Sequence, residues 1–374
     1  MRIIRSFAIS LVAMSAIVTT PSGSSGRTCQ YWGSQPTVGS DVSIEDVSAA
    51  GSCAAWAVGS FDDAGTRHTL ILRWDGTNWA VQPSPNRGVG ANFLRGVTAV
   101  SANDAWAVGS YFGSVDYRTL ILHWNGTAWK AVKSPNAVPD SFNDLFDVDA
   151  VSASNVWAVG ERDDNGLGYR ALILHWNGTA WKLKKAPDVA GADDELFGVG
   201  AASGSAAWAV GCSDSGGLIL RWNGTRWRRV SSPNPGTGVC LWGATGLSAD
   251  RAWAVGQFNG TSGDVPLVLR WNGKAWKRQK TPTPGDGSVL RGVDAAGKRN
   301  AWAVGQVSGS FGTSTMVFHW DGSSWKRQPS WNGDQTFPLD NNLSGVAAIP
   351  SGGGAWAVGD YDASSRSPSI LHCC

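Results

Sequence analysis

Residues 94–131 read LRGVTAVSANDAWAVGSYFGSVDYRTLILHWNGTAWKA, and this stretch decides the fold. It contains four short apolar segments, which begin at Leu94, Trp106, Leu120 and Trp129. Asn125 and Gly126 separate the last two segments, and Asn-Gly between apolar runs is a strong hairpin signal because the turn requires positive φ. The stretch therefore predicts one four-stranded antiparallel meander.

The same unit recurs along the whole chain at intervals of 45 to 54 residues, a period typical of propeller blades. Trp-Ala-Val-Gly occurs seven times, starting at Trp56, Trp106, Trp157, Trp208, Trp253, Trp302 and Trp356. One four-stranded sheet cannot bury both of its faces, so neighbouring sheets must stack, and radial stacking produces a propeller. We predict an all-β fold, a seven-bladed β-propeller of four-stranded antiparallel blades.

The two ends of the chain are predicted to complete the last blade together. The seventh unit stops at Ile370-Leu-His-Cys-Cys374, inside the turn that follows the third strand. The missing fourth strand is predicted at the N-terminal segment Cys29-Gln-Tyr-Trp32, with Trp32 aligned to Trp129 of the second unit. The last blade is thus closed by the N-terminal strand.

The cysteines fit an exported, disulfide-bonded protein. The closure predicts a disulfide from Cys29 to Cys373 or Cys374, which would stabilise the fold by closing a long loop. Cys212 and Cys240 fall on one rim of neighbouring blades and are predicted to pair. By elimination, Cys53 is assigned to whichever of the two C-terminal cysteines is unused.

The first residues predict secretion. Arg2 and Arg5 precede an apolar stretch, and small residues follow, which is the order of a secretory signal peptide. We expect residues 1–26 to be the signal peptide and a short linker, and residues 27–374 to form a single propeller domain. Removing both arginines leaves 29 basic and 29 acidic side chains, so a nucleic-acid partner is not expected. We expect an extracellular monomer with no membrane span.

Most of the 22 tryptophans are assigned to packing between blades, since a residue repeated in every blade serves what every blade needs. The alternative is a set of sugar-stacking platforms. A basic residue precedes the third-strand Trp in each unit: Arg73, His123, His175, Arg221, Arg270 and His319, with His372 at the equivalent position of the last unit. Because these side chains lie on separate blades, we expect each to stack on a neighbouring Trp rather than bind metal. No metal, cofactor or catalytic residue is predicted.

The ligand site is predicted on the face that carries the second-to-third and fourth-to-first loops, near the central axis. These loops vary between units, and function usually lies on variable loops of a rigid scaffold. The candidate ligand-binding residues are the acids and aromatics of these loops, together with one Trp outside the repeat pattern: Asp62, Asp63, Tyr111, Asp116, Tyr117, Asp163, Asp164, Tyr169, Trp242 and Tyr361.

The period and the four-strand unit resemble kelch-type propellers, especially secreted bacterial propellers rich in Trp-Ala-Val-Gly and Trp-Asn-Gly-x-x-Trp. The resemblance covers about residues 30–374. The propeller of galactose oxidase is also similar, although its copper ligands and Tyr–Cys cross-link have no matching motif here. Kelch repeats carry a Gly-Gly doublet, whereas this chain has a single glycine, as at Gly109.

We expect a secreted, non-catalytic binding or scaffold propeller whose ligand, a carbohydrate first of all, lies on the variable-loop face. One alternative is a cell-surface protein-interaction module. The other is a glycan-acting hydrolase or oxidase, for which the sequence does not single out a carboxylate pair.

Overall fold

The chain forms seven four-stranded antiparallel sheets in a propeller arrangement. The computed structural model describes residues 29–31, 40–163, 166–187, 193–282, 285, 287–309, 312–332, 340–350, 354–362 and 366–373. No helix occurs in these ranges. The fold class is confirmed. The expected signal peptide, residues 1–26, lies outside the described residues.

The strands are numbered in chain order and grouped by their place in a blade. The first, innermost strands are β2 (Ser40–Gly51), β6 (Asn92–Ser101), β10 (Asn143–Ser152), β14 (Asp194–Ser203), β18 (Thr237–Ser248), β22 (Ser288–Gly297) and β26 (Asn341–Ala348). The second strands are β3 (Ala54–Asp63), β7 (Asp104–Phe112), β11 (Asn155–Asp163), β15 (Ala206–Ser213), β19 (Arg251–Asn259), β23 (Asn300–Gly309) and β27 (Ala355–Asp362). The third strands are β4 (Thr66–Trp74), β8 (Tyr117–Trp124), β12 (Tyr169–Trp176), β16 (Gly216–Trp222), β20 (Asp264–Trp271), β24 (Gly312–Trp320) and β28 (Arg366–Cys373). The fourth, outer strands are β5 (Trp79–Gln82), β9 (Trp129–Ala131), β13 (Trp181–Leu183), β17 (Trp227–Arg229), β21 (Trp276–Arg278), β25 (Trp325–Gln328) and β1 (Cys29–Tyr31).

The N-terminal strand β1 is the outer strand of the seventh blade, as predicted. The alignment of Trp32 with Trp129 is wrong by three residues, because Cys29 pairs with Cys373 at the position where other blades pair two tryptophans. No turn connects these two strands, so backbone pairing alone sets the register. First strands contact one another around the ring, and the contact between β2 and β26 closes it.

One predicted disulfide is present and one assignment is wrong. Cys212 and Cys240 are bonded, which confirms that pair. Cys53 is an exposed free thiol, so the pairing assigned to it by elimination is wrong. Cys373 is disulfide-bonded, and its backbone lies opposite Cys29. Cys374 lies outside the described residues.

The repeated tryptophans pack between blades. Trp157 is 1% exposed, and its ring lies 4.9 Å from that of Trp222 and 5.0 Å from that of Trp227 in the next blade. The same three-ring contact recurs where Trp56, Trp106, Trp208, Trp253 and Trp356 meet the following blade. These rings therefore hold neighbouring blades together, which supports the packing assignment.

The basic residue of each third strand stacks on tryptophan. The imidazole of His123 lies 4.1 Å from the ring of Trp106, and the Arg73 guanidinium carbon lies 5.2 Å from the ring of Trp56. The pKa of His175, which stacks on Trp157 in the same way, falls to about 4 because burial disfavours its charged form. This position therefore serves packing between tryptophans, and its side chain is half-buried in six of the seven blades.

Turn chemistry matches the sequence pattern at the third-to-fourth turn. Gly126 adopts a φ of 91°, as the Asn-Gly turn requires. The side-chain oxygen of Asn125 accepts hydrogen bonds from the backbone N–H groups of Thr127 and Ala128, both at 3.1 Å. The turns between first and second strands are two residues long in six blades, as at 102–103. The turns on this face are therefore short and uniform.

Candidate functional site

A seven-residue ring lines the central channel near the variable-loop face. It consists of the residue that follows the conserved Ile or Leu of each first strand: Glu45, Arg95, Phe146, Phe197, Trp242, Arg291 and Ser344. Each first strand carries a β-bulge at this position. A bulge leaves one residue unpaired and redirects its side chain. The fold thus presents one variable side chain per blade to the axis, here called the mouth ring.

Five members of the mouth ring form a stacked arc. The ring of Phe197 lies 5.1 Å from that of Phe146 and 4.5 Å from that of Trp242. The Arg291 guanidinium carbon lies 4.2 Å from the Trp242 ring centroid, and that of Arg95 lies 5.2 Å from Phe146. We call these five residues the mouth arc. Consecutive blades supply its members, so the arc is continuous.

The two arginines of the mouth arc have different electrostatic surroundings. Arg95 forms an ion pair with the buried Asp144, at 3.0 Å. Burial lowers the pKa of Arg291, while Glu45 and Asp264 act in the opposite direction. The Trp242 indole N–H donates to the side chain of Gln257. The ion pair of Arg95 and the hydrogen bond of Trp242 thus orient two members of the arc.

Four carboxyl groups lie below the mouth ring: Asp46, Asp147, Asp149 and Asp294, here called the channel carboxylates. Each accepts a backbone N–H bond from the next blade, at 2.7 Å from Val199 to Asp147 and from Ala201 to Asp149. The contacts to Asp46 and Asp294 are equivalent. The channel carboxylates therefore join the innermost strands of neighbouring blades.

The ordinary carboxyl pKa is raised at all four channel carboxylates, chiefly because the channel desolvates them. The pKa rises to about 7 at Asp46 and at Asp149. Repulsion from the charge of Asp294 also raises the pKa of Asp46 and Asp149. Repulsion from the charge of Asp46 also raises the pKa of Asp147. Asp46 and Asp149 therefore change charge near neutral pH.

A second set of aromatic rings runs outward from the mouth arc over blades two and three. Tyr117 lies 6.1 Å from both Phe93 and Phe142, and Phe142 lies 5.7 Å from Tyr169. We call these four residues the aromatic strip. The Arg95 guanidinium carbon lies 5.6 Å from the Phe93 ring, so Arg95 connects the strip with the mouth arc.

Exposed apolar side chains lie in the loops that lead into β6, β8 and β12, the strands that carry Phe93, Tyr117 and Tyr169. Among the described residues, the three most exposed large hydrophobic side chains are Val89, Leu167 and Val115, at 85%, 78% and 64%. All three lie in loops of the variable face. Tyr169 itself is 39% exposed. Large exposed apolar side chains on one face are a feature of interaction surfaces.

A pair of hydrogen-bonded carboxyl groups, Glu161 and Glu195, lies beside the strip. Burial is the largest cause that raises the pKa of Glu161 to about 8, followed by repulsion from Glu195 and Asp144. Burial and then the charge of Glu161 raise the pKa of Tyr169, so the pair and the strip are electrostatic neighbours. Glycosidase carboxyl groups stand about 5 Å or more apart. The direct contact of this pair does not match that geometry.

The predicted candidates fall partly within this site. Trp242 belongs to the mouth arc, and Tyr117 and Tyr169 belong to the aromatic strip. Asp116 and Asp163 border the strip, where Asp116 accepts the Tyr117 N–H and Asp163 accepts the hydroxyl of Ser141, both at 2.7 Å.

Other predicted candidates lie elsewhere on the same face. Asp62 accepts the Gly65 N–H at 2.9 Å in the loop of blade one, beside the exposed Asp63. The Arg87 guanidinium lies over the ring of Tyr111. Tyr361 packs edge-on against Trp331. Asp164 lies outside the described residues. Asp62, Asp63, Tyr111 and Tyr361 do not join the mouth arc or the strip.

Sequence reasoning missed most of the site: Arg95, Phe146, Phe197, Arg291, Phe93 and Phe142. A signal for the mouth ring was present, because the conserved Leu of each first strand is followed by a residue that differs from unit to unit. In a repeat protein, the variable positions of an otherwise uniform strand indicate where copies have diverged in role. The signal lay in a strand rather than in a loop.

No helix among the described residues has the length and hydropathy to cross a membrane. In the same ranges, no group of three or more His, Cys, Asp or Glu side chains has the arrangement of a metal site.

The fold and the site define a seven-bladed propeller with a composite surface at its channel mouth. No protein-family model and no curated protein matches the chain. Among solved structures, YCF48 bound to a D1 peptide is similar, with a TM-score of 0.57 and 13% identity over 94% of this chain and 95% of that one. YCF48 from Cyanidioschyzon merolae is also similar, with a TM-score of 0.56 and 16% identity over 93% and 98%. Identities this low show the fold alone, and the kelch and galactose oxidase resemblances are not confirmed.

Proposed function

We propose that this chain is a secreted, non-catalytic protein-interaction propeller that binds an extended peptide segment across blades two to four of the variable-loop face. The observation that carries the proposal is the aromatic strip, which continues through Arg95 into the mouth arc. Aromatic and arginine side chains dominate the energetics of protein interfaces. The exposed tips Val89, Val115 and Leu167 supply apolar contact beside it.

The acidic residues beside the aromatic strip indicate the composition of the bound segment. Asp116, Asp163 and Asp193 border the strip, and the carboxyl pair Glu161–Glu195 lies next to it. Complementary potential favours a partner segment that combines apolar and basic residues. The solved YCF48 structure with a D1 peptide supports the idea that a propeller of this shape can hold a peptide.

Secretion is supported by the bonded pair Cys212–Cys240, because structural disulfides belong to oxidising compartments. The N-terminal signal peptide predicted from sequence agrees with this compartment. We therefore propose an extracellular partner.

The test is selection from a random peptide library displayed on phage, followed by calorimetry with the enriched peptides. We expect enriched peptides to carry apolar and basic residues. Leu167→Ser should weaken binding about tenfold, since a central apolar contact contributes more than 1 kcal/mol. Leu183→Ser is the matched control, because Leu183 is 44% exposed on the outer strand of the same blade. Absence of enrichment, or equal losses in both variants, would refute the proposal.

A carbohydrate ligand is the second candidate. Tyr117 and Tyr169 offer partly exposed rings next to Asp116 and Asp163, and aromatic faces with nearby carboxylates suit sugar rings. A glycan array with the same two leucine variants and a Tyr169→Ser variant tests it. Glycan binding that depends on Tyr169, without product release, would favour a lectin. Product release would favour the hydrolase or oxidase.

A further inference from the structure

The central channel contains a cavity of about 160 Å³ between the mouth ring and the channel carboxylates. Pockets for drug-sized ligands are larger, at about 300–1,000 Å³. A space of this size suits one amino-acid side chain. It opens on the face where the peptide segment is proposed to bind.

One wall of the cavity is aromatic. Phe146, Phe197 and Trp242 stack along consecutive blades and line it. Their faces attract cations through the ring quadrupole and also accept an aliphatic stem.

The rest of the cavity is rich in carboxyl groups. The titratable groups that face it from the seven first strands are Glu45, the four channel carboxylates, Arg95 and Arg291. Arg95 already pairs with Asp144, and Arg291 stacks on Trp242. Carboxyl groups thus outnumber cations in the channel.

The channel carboxylates are satisfied by neutral donors. Asp149 accepts the N–H groups of Ala150 and Ala201, and Asp294 accepts the hydroxyl of Thr245 at 3.1 Å together with two backbone N–H groups. Burial raises the pKa of all four groups, and repulsion between carboxylates adds to the rise at Asp46, Asp147 and Asp149. A cation placed among them would relieve that repulsion.

We propose that the channel receives one long cationic side chain of the bound segment, a lysine or an arginine. The aliphatic stem packs against Phe146, Phe197 and Trp242, and the charged end lies among the channel carboxylates. This inference rests on the proposed peptide-binding function and adds the residue that anchors the peptide.

Small probes test the channel independently of any partner. The probes are the N-acetyl amides of lysine, arginine and norleucine, titrated into the full secreted protein by NMR or calorimetry. Lysine or arginine should bind at least about tenfold more tightly than norleucine, which has a similar stem without charge. Equal binding of all three probes, or no binding of either cation, would overturn the inference.

Variants locate the binding. Trp242→Leu should weaken binding of the cationic probe about tenfold, whereas Trp242→Phe should retain most of the affinity because it keeps an aromatic face. Asp149→Asn should also weaken the probe, and Asp63→Asn, on an exposed rim loop, should not. A loss with Asp63→Asn equal to that with Asp149→Asn would count against the channel.

The pH dependence supplies a second readout. Affinity for the cationic probe should rise between about pH 6 and pH 8, as Asp46 and Asp149 lose their protons. Binding should release protons, which is visible as a calorimetric enthalpy that depends on the buffer. If library peptides bind but the cationic probes do not, the channel inference fails alone. If the probes bind and no peptide does, the proposed function fails instead.

Discussion

Asp149 makes stability depend on pH in the direction opposite to acid denaturation. Its pKa is about 7 in the folded protein and near the ordinary value, about 3.9, in the unfolded chain. The folded state therefore retains the proton over a range in which the unfolded state has lost it. Its contribution to stability is fully present at acidic pH and is lost as the pH rises through about 7.

The size of the effect follows from these two values. Between about pH 5 and pH 7, one such carboxyl group loses about 2 kcal/mol of stabilisation. Asp149 is only partly shielded from channel solvent, so we expect about 1–2 kcal/mol. Several other groups titrate nearby, and burial lowers the pKa of His175 and His372, which acts in the opposite direction. The informative quantity is therefore the difference between the protein and an Asp149→Asn variant.

The variant loses one acceptor as well as the charge. Asp149 accepts the Ala150 and Ala201 N–H groups on its two oxygens, at 2.8 and 2.7 Å. Asparagine has one carbonyl oxygen, so one N–H loses its partner, at a cost of about 1 kcal/mol. We expect Asp149→Asn to be less stable than the parent at pH 5 and equally or more stable at pH 8.

The assay is urea unfolding with intact disulfides, followed by tryptophan fluorescence from pH 5 to pH 8. Asp63→Asn, on an exposed loop, is the control and should run parallel to the parent. If the curves of Asp149→Asn and the parent also run parallel, Asp149 does not titrate as described and the reasoning is refuted.

Three further predictions concern the contacts and disulfides that hold the seven blades together. Trp157→Ala should lower the free energy of unfolding by about 3–5 kcal/mol, because it leaves a cavity between two blades; a loss below about 1 kcal/mol by urea titration would contradict the packing described above. Replacing Cys212 and Cys240 by serine should lower the free energy of unfolding by about 3–4 kcal/mol, because the disulfide closes a loop with a sequence separation of 28 residues. An unchanged urea midpoint would show that the disulfide does not stabilise the fold. Non-reducing peptide mapping should recover Cys29 joined to Cys373, since their backbones pair directly, and a free thiol at Cys29 would exclude the closure.

The scaffold could be predicted in detail because each of its features is local or periodic. The Asn125-Gly126 turn requires positive φ at its glycine. A Trp recurs at the position of Trp106 in every unit because every interface between blades needs it. The alignment of Trp32 was wrong because no turn links β1 to β28. Two chain ends meet there, and only pairing across the sheet decides the register.

The residues of the candidate site could be predicted only in part. Loop composition pointed to the variable-loop face and to Tyr117 and Tyr169, and Trp242 stood out because it lies outside the repeat pattern. It did not identify Phe146 and Phe197, because their importance depends on a bulge that turns one inner-strand side chain toward the axis.

The sequence by itself determined the number of blades, the strand order and the residues between the blades, since these depend on short-range turn chemistry and on a repeated apolar pattern. Only the tertiary structure decided which side chains meet at the axis. Packing of neighbouring blades brings residues about fifty positions apart into contact, as with Phe146 and Phe197. Their stacking, and the raised pKa values of the carboxyl groups beneath them, arise from seven blades converging on one narrow channel.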